Sequence, residues 1–471
     1  MPTAPHIRPC PRPRPVAASA LALVALAAAS GCAADSAPDA AFPPAAAPGH
    51  ADVSNRTIYE VNIRQYTPEG TFDAFRARLP RLEQLGVDVL WLMPIHPIGE
   101  RNRKGTLGSY YSVRDYTAVN PEFGTADDFR ELVDAAHDLG MLVVFDWVAN
   151  HTAWDHPWTE THPRRYALDE AGRFRPPNPD WDDVLQLDMN NPDTRDAMLD
   201  AMRYWVTEYR VDGFRADVAE LVPREFWEPA IAELRQERPL FMLAEGARPW
   251  LHEAGFDATY GWDIADAVLR VATGDDTADD LRNQINRTLG ELALADQPGA
   301  PNPVRMLFTT NHDWNSWIAP AIDRFGPAWE AATVLTFTLP GVPMIYSGQE
   351  AGLDEQLAFF DKGLIDWRPH PAAGLYRSLA RLRREHPAIG TYDFNLKWIA
   401  PPDPDRVIAF RRTAPDRGAE VVVLANLSAE PARAPRVKIV PGRTVDLRGA
   451  PASTPDTLAP WSAVVLVTPA E

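Results

Sequence analysis

The chain has 471 residues, 45% of them hydrophobic and 10% aromatic, which is too long for one small domain and suits a large barrel plus a smaller unit. Its formal net charge of -19 at pH 7 argues against nucleic acid or an anionic lipid surface as the partner, and a neutral substrate fits better.

The N-terminus reads as a targeting segment and stands apart from the fold. Arg8, Arg12 and Arg14 form a basic start, and Val16 to Ala29 form an apolar run too short to span a bilayer. The "ASGC" at residues 29–32 resembles the lipobox of bacterial lipoproteins. That resemblance implies a signal peptide over residues 1–31, with Cys32 lipidated as the first mature residue. It also implies a place at the bacterial cell envelope, periplasmic or on the outer-membrane surface; an ordinary cleaved secretory signal is the other reading. Residues 32–52, poor in large apolar groups, form a tether that cannot build a core. Cys10 leaves with the signal, so the mature chain has one cysteine and no internal disulfide.

From Thr57 onward, short apolar runs alternate with helical patterns. Strands are expected at 57–63, 87–93, 141–147, 212–217, 240–245, 305–310 and 342–347, with "FDATYGW" at 256–262 a weaker eighth. Residues 125–140 space Phe129, Leu132, Val133, Ala136 and Leu139 as one helical face, with Gly140 placed to cap; residues 193–209 read the same way. Pro80 interrupts the helix before the second strand, so that helix begins anew near it. Eight strand–helix units predict a (β/α)8 TIM barrel over 53–390, with an irregular insert at 148–192 after the third strand. From 391 to 471 short alternating runs predict a C-terminal antiparallel β-sandwich domain.

Residues at the C-terminal ends of barrel strands carry the chemistry in such folds. Here those ends offer Asp146 with Asn150 and His151, then Arg215 with Asp217, then Glu245, then His312 with Asp313. Arg215 and Asp217 stand at i and i+2, so a strand turns both to one face while Phe214 and Ala216 turn to the other. A lone R-x-D is ordinarily a structural ion pair. Carboxylates converging from several strand ends instead suit glycoside hydrolysis, which needs one ionised and one protonated carboxyl. Arg215 is expected to keep Asp217 ionised, and burial near other carboxylates to raise Glu245.

"DWVANH", "GFRAD", "AEG" and "NHD", in this order on alternate strand ends, resemble the four signature regions of the α-amylase family of retaining glycoside hydrolases. "LQLDMNNPD", "YYSVRDYTAVNPEFGTADDF" and "GVPMIYSGQEAG" resemble further segments of that family. The resemblance implies cleavage of α-1,4-glucosidic bonds in starch-derived glucans or malto-oligosaccharides. It implies Asp217 as nucleophile, Glu245 as general acid/base, and Asp313 as a third carboxylate holding sugar hydroxyls. Arg215 would orient Asp217, His151 and His312 would bind sugar hydroxyls, Tyr111 would stack on the ring, and Asp146 would support the site from behind. Trp154, Trp158, Trp181, Trp314 and Trp317 fall in loops expected around the mouth, where some should line the cleft.

The pattern departs in two places. Glu220 and Leu221 stand where many family members carry a lysine and a histidine, so the leaving-group side must be built differently. Many members also hold a structural calcium. Asn150 matches one of its ligands, but Gln186 stands where an aspartate is expected, and a neutral amide is a weaker ligand; Asp180, Asp182 and Asp183 are the acids that would compensate. No cofactor is implied for the chemistry. Within the family, a cyclomaltodextrinase, neopullulanase, α-glucosidase or transglycosylase would use the same residues. A surface glycan-binding lipoprotein without turnover is the alternative from another class. A metal-dependent hydrolase finds no supporting ligand spacing. Oligomeric state is not readable.

Overall fold

The computed structural model describes residues 49–295, 300–392, 394–414 and 418–470; the expected signal segment and most of the tether, Cys32 included, lie outside them. Eight parallel strands close a barrel: β1 (Ile58–Val61), β2 (Val89–Leu92), β3 (Leu142–Trp147), β4 (Gly213–Ala216), β5 (Phe241–Ala244), β6 (Ala258–Tyr260), β7 (Val304–Leu307) and β8 (Val342–Tyr346), which pairs back to β1. All their residues are buried except half-buried Leu142, which is why they read as mostly apolar runs: a parallel barrel is covered on both faces. The weak candidate at 256–262 is the sixth strand.

The helices follow their sequence signals. Ala126–Asp138 opens with a capping box between Thr125 and Asp128, and Gly140, at φ 75°, follows its end. Leu79–Leu85 carries Pro80 in its first turn, after a separate short helix Phe72–Arg76. Pro192–Glu208 matches the expectation for 193–209. The insert is built on a small hairpin, His151–Ala153 paired with Val184–Gln186, in which His151 and Gln186 lie directly opposite.

The C-terminal region is one four-stranded antiparallel sheet, ordered β9 (Leu396–Trp398), β10 (Val407–Thr413), β11 (Glu420–Asn426) and β12 (Ser462–Thr468). Alternation sorts its residues. Ile408, Phe410, Val421, Val423, Val465 and Val467 join the core shared with the barrel. Val407, Ala409, Val422, Leu424 and Leu466 cover a second small core with Ala432 and Leu458. The expected second sheet of the sandwich is a two-stranded ribbon, Ala432–Arg433 with Thr457–Leu458.

At the barrel's N-terminal end, aspartates precede β2, β4 and β6 and fasten the strand before. Asp88 accepts from Thr57 N at 3.0 Å, Asp212 from Val143 N at 2.8 Å and Asp257 from Met242 N at 2.7 Å. Each has its own cation: Arg384, Arg238 and Arg235 respectively, all at 2.8 Å. The hydrophobic–Asp step in "VDVLW", "VDGFR" and "FDATY" is thus a repeated structural device that sequence inspection did not isolate. The chain also enters here, Ala51 N donating to Leu240 O at 3.1 Å and Leu240 N to Gly49 O at 3.0 Å, with His50 against Asp257.

Burial would raise Asp257, but Arg235, His50 and the Met242 amide outweigh it and hold its carboxyl below the usual range. A depressed folded-state pKa contributes stability above the unfolded value and loses it as pH falls. Asp257→Ala should therefore cost about 3–5 kcal/mol near neutral pH by leaving Arg235 buried and unpaired. The gap between wild type and variant in thermal unfolding should narrow as pH drops below about 4.

Candidate active site

Strand β4 carries the centre of the site. Gly213 begins it at φ 152°, where a Cβ would lie 1.8 Å from Phe241 O, so only glycine lets β4 and β5 pair closely here. Phe214 faces outward against Phe145 and Trp147, with ring centroids 5.3 and 5.4 Å away. Arg215 faces into the barrel and is fully buried. Its Nη1 donates to Asp146 Oδ1 at 2.8 Å and to Asp217 Oδ1 at 3.0 Å, its Nε to the Tyr260 hydroxyl at 3.0 Å, and its Nη2 lies 3.1 Å from Glu245 Oε2. One guanidinium thus faces carboxylates from β3, β4 and β5.

This sharing corrects one expectation. Arg215 does not by itself hold Asp217 low: burial and the Glu245 charge outweigh the guanidinium and push the Asp217 carboxyl well above the usual range. Burial also carries Asp146 up to about 6, against the pull of Arg215 and His312. Asp146 sits behind the site as expected, its Oδ2 accepting from Tyr111 Oη at 3.0 Å and Trp91 Nε1 at 3.3 Å.

The loops after β4 and β5 clasp each other. Val218, which follows Asp217, is left-handed at φ 37° and ψ 48°, and its N–H reaches Glu245 Oε2 at 2.6 Å. Such a backbone is costly for a β-branched residue. In return, Glu220 Oε1 accepts from the N–H groups of Ala247 at 2.6 Å and Arg248 at 3.1 Å. The position where many family members carry a lysine therefore fastens the loop that follows Glu245.

His312 opens the helix His312–Trp317 after β7, under the cap of Asn311. Its Nδ1 meets Glu60 of β1, its Nε2 lies 2.8 Å from Tyr111 Oη and 3.4 Å from Asp313 Oδ2. Burial would lower its pKa, but Asp313 and Glu60 raise it to about 9, so the ring is cationic at neutral pH. Asp313, the most open of the acids with 39% of its side chain exposed, faces the mouth. His151 is opposite in character: burial drives it down to about 3, and its neutral ring places Nε2 4.0 Å from Asp217 Oδ2. Tyr111 lies beside both His312 and Phe359, near-parallel to each at 21° and 17° with centroids 5.5 and 6.1 Å away, and those two rings are themselves 6.3 Å apart.

All eight expected site residues converge here. Sequence reading missed Glu60, Trp91, Tyr260 and Phe359. Glu60 carried a signal, an acid in the apolar run "IYEVN", but it lies inside its strand, whereas only strand ends were weighed. Of the tryptophans, Trp181 lies 5.7 Å from His151, and Trp317 is 54% exposed against Phe359 at 5.1 Å. Trp158 packs instead on His156 and Arg165, and Trp314 on Phe308 and Arg324. Trp154 donates to Asp182 O at 2.9 Å.

The residues at the expected calcium position do not fit a cation. Asn150 Oδ1 is taken by the Gln186 amide at 2.9 Å. The acids expected to compensate are tied to Lys104, whose Nζ lies 3.0 Å from Asp182 and 3.2 Å from Asp183 and donates to Asp180 O.

The description "Alpha amylase, catalytic domain" matches residues 35–182 and 180–244, and "Domain of unknown function (DUF3459)" matches residues 400–465. An α-amylase of Haloarcula japonica is 32% identical over 410 residues, covering 83% of this chain and 58% of that protein. The chain thus spans little more than half the length of this curated relative. The crystal structure of an α-amylase from Lactobacillus plantarum superposes with a TM-score of 0.76 at 30% identity, covering 88% of this chain and 98% of that one. A noncanonic maltogenic α-amylase from Thermotoga neapolitana superposes with a TM-score of 0.74 at 28% identity, covering 88% and 99%. With the barrel, its signature strand ends and these likenesses together, the chain belongs to the α-amylase family.

Proposed function

We propose that the protein is a retaining glycoside hydrolase that cleaves α-1,4-glucosidic bonds in starch-derived glucans or malto-oligosaccharides. The observation that carries the reading is the cluster of Asp146, Asp217 and Glu245 around buried Arg215, with Asp313 and cationic His312 beside it. Hydrolysis with retention requires one proton at this pair of carboxyls, Asp217 and Glu245. The productive arrangement has it on Glu245, with ionised Asp217 stabilised by Arg215. Glu245 then protonates the glycosidic oxygen as the C–O bond breaks, and Asp217 bonds to the anomeric carbon. Water next attacks that carbon, gives its proton to Glu245, and frees Asp217. Asp313 accepts from sugar hydroxyls, the charge of His312 favours oxygens placed beside it, and Tyr111 offers its ring to the sugar face.

The test is a product time course from soluble starch, pullulan and β-cyclodextrin, using protein that starts near residue 50. Malto-oligosaccharides from starch support an amylase. Rapid ring opening, or panose from pullulan, assigns the cyclomaltodextrinase or neopullulanase activity instead. No product from any of them leaves the glycan-binding reading. Asp217→Ala should lower turnover on the order of 10⁴-fold while leaving the thermal unfolding midpoint near wild type.

Because Asp217 must be ionised to attack and is raised in this cluster, the acid limb of kcat/KM should lie above the ordinary carboxylate range. Asp146→Asn removes a like charge and leaves Arg215 less divided. It should move that limb to lower pH, by about one unit, read from a pH–rate profile.

We also infer anchorage at the bacterial cell envelope through lipid on Cys32, supported by the basic, apolar and "ASGC" pattern of residues 8–32. Cys32→Ser should release the protein from the membrane fraction; retention there would count against lipidation.

A further inference from the structure

At the foot of the insert, three neutral oxygens converge on one nitrogen. Gln186 Nε2 lies 2.9 Å from Asn150 Oδ1, 3.1 Å from Asn150 O and 3.2 Å from Leu187 O. Three acceptors facing one point demand a donor or a cation there, and an amide NH2 supplies two hydrogens to share. Among the described residues no carboxylate accompanies these oxygens, which weakens the point as a site for a hard divalent ion. The nearby Asp182 and Asp183 already have Lys104 as their cation.

The same amide fixes more than the insert. With Oδ1 held by Gln186, Asn150 presents Nδ2 to His151 Nδ1 at 3.2 Å. An amide nitrogen only donates, so His151 Nδ1 must accept and the ring proton must sit on Nε2. That nitrogen is the one 4.0 Å from Asp217 Oδ2, on the face where substrate meets the nucleophile. Cross-strand pairing of His151 with Gln186 makes the chain of contacts short and fully buried at its centre.

We propose that the Gln186 amide takes the place of a structural cation in this chain and, through Asn150, holds His151 as the Nε2–H tautomer facing Asp217. Gln186 is therefore a positioning residue. The cation half of the proposal is independent of the reaction; the value of the tautomer to catalysis rests on the glycosidase reading above.

Thermal unfolding and histidine NMR decide it, and neither needs turnover, so failure of the glycosidase reading leaves them valid. The wild-type midpoint should be the same in EDTA and in millimolar calcium chloride; a midpoint lowered by EDTA and restored by calcium overturns the proposal. Gln186→Glu sets a carboxylate against the same oxygens. It should unfold earlier than wild type in EDTA and recover with calcium by mass action; a variant indifferent to calcium also overturns it. In 15N-histidine-labelled wild type, His151 should show a protonated Nε2 and a bare Nδ1, assigned by its loss in His151→Gln. The opposite tautomer sinks the relay through Asn150, even if Gln186→Glu fails to fold.

Discussion

Everything at the mouth of this barrel depends on there being one buried guanidinium for several buried carboxylates. Arg215 touches Asp146, Asp217 and Glu245 at about 3 Å, and no second arginine accompanies it in that cluster among the described contacts. A buried acid is tolerable when paired, and costly when its partner is divided. The result is a cluster in which burial pushes the Asp146 and Asp217 carboxyls up, rather than a set of independent salt bridges. His312, charged because Glu60 and Asp313 flank it, supplies the only other cationic contribution named at this centre.

The opposite end of the barrel solves the same problem differently. There each acid has a private arginine and a backbone amide, and the carboxylates serve as fasteners between adjacent strands. Strand β4 and the residue on either side of it span both regimes: Asp212 at the base, Gly213 for close approach, Phe214 outward, then Arg215, Ala216 and Asp217 at the mouth. One short segment thus contributes to stability at one end and to reactivity at the other, and its even spacing is imposed by the two-residue strand period.

The barrel was legible in the sequence because parallel strands buried on both faces leave largely apolar runs, and the weak run around Tyr260 is the sixth strand. The site residues were legible because strand ends are where charge interrupts those runs. Glu60 escaped because its charge interrupts a strand from within. Its role becomes visible only when β1 and the loop after β7, 252 residues apart, come together at His312. Tyr260 and Phe359 escaped because an aromatic side chain in an apolar segment reads as core; only its neighbour reveals it as a wall. The electrostatics of Asp217 were misjudged for a related reason. An arginine two residues away is a local fact, while its division among three strands belongs to the closed barrel.

Val218 adds a consequence of another kind. A left-handed valine costs about 1–2 kcal/mol relative to ordinary backbone, and in that conformation its N–H reaches Glu245. The loop therefore stores conformational free energy next to the reacting groups. Replacements that relax it would be favoured in any selection for robustness and disfavoured in any selection for rate. Position 218 is thus a point where durability and turnover pull the sequence in opposite directions, and lineages under different temperatures would be expected to settle that conflict differently.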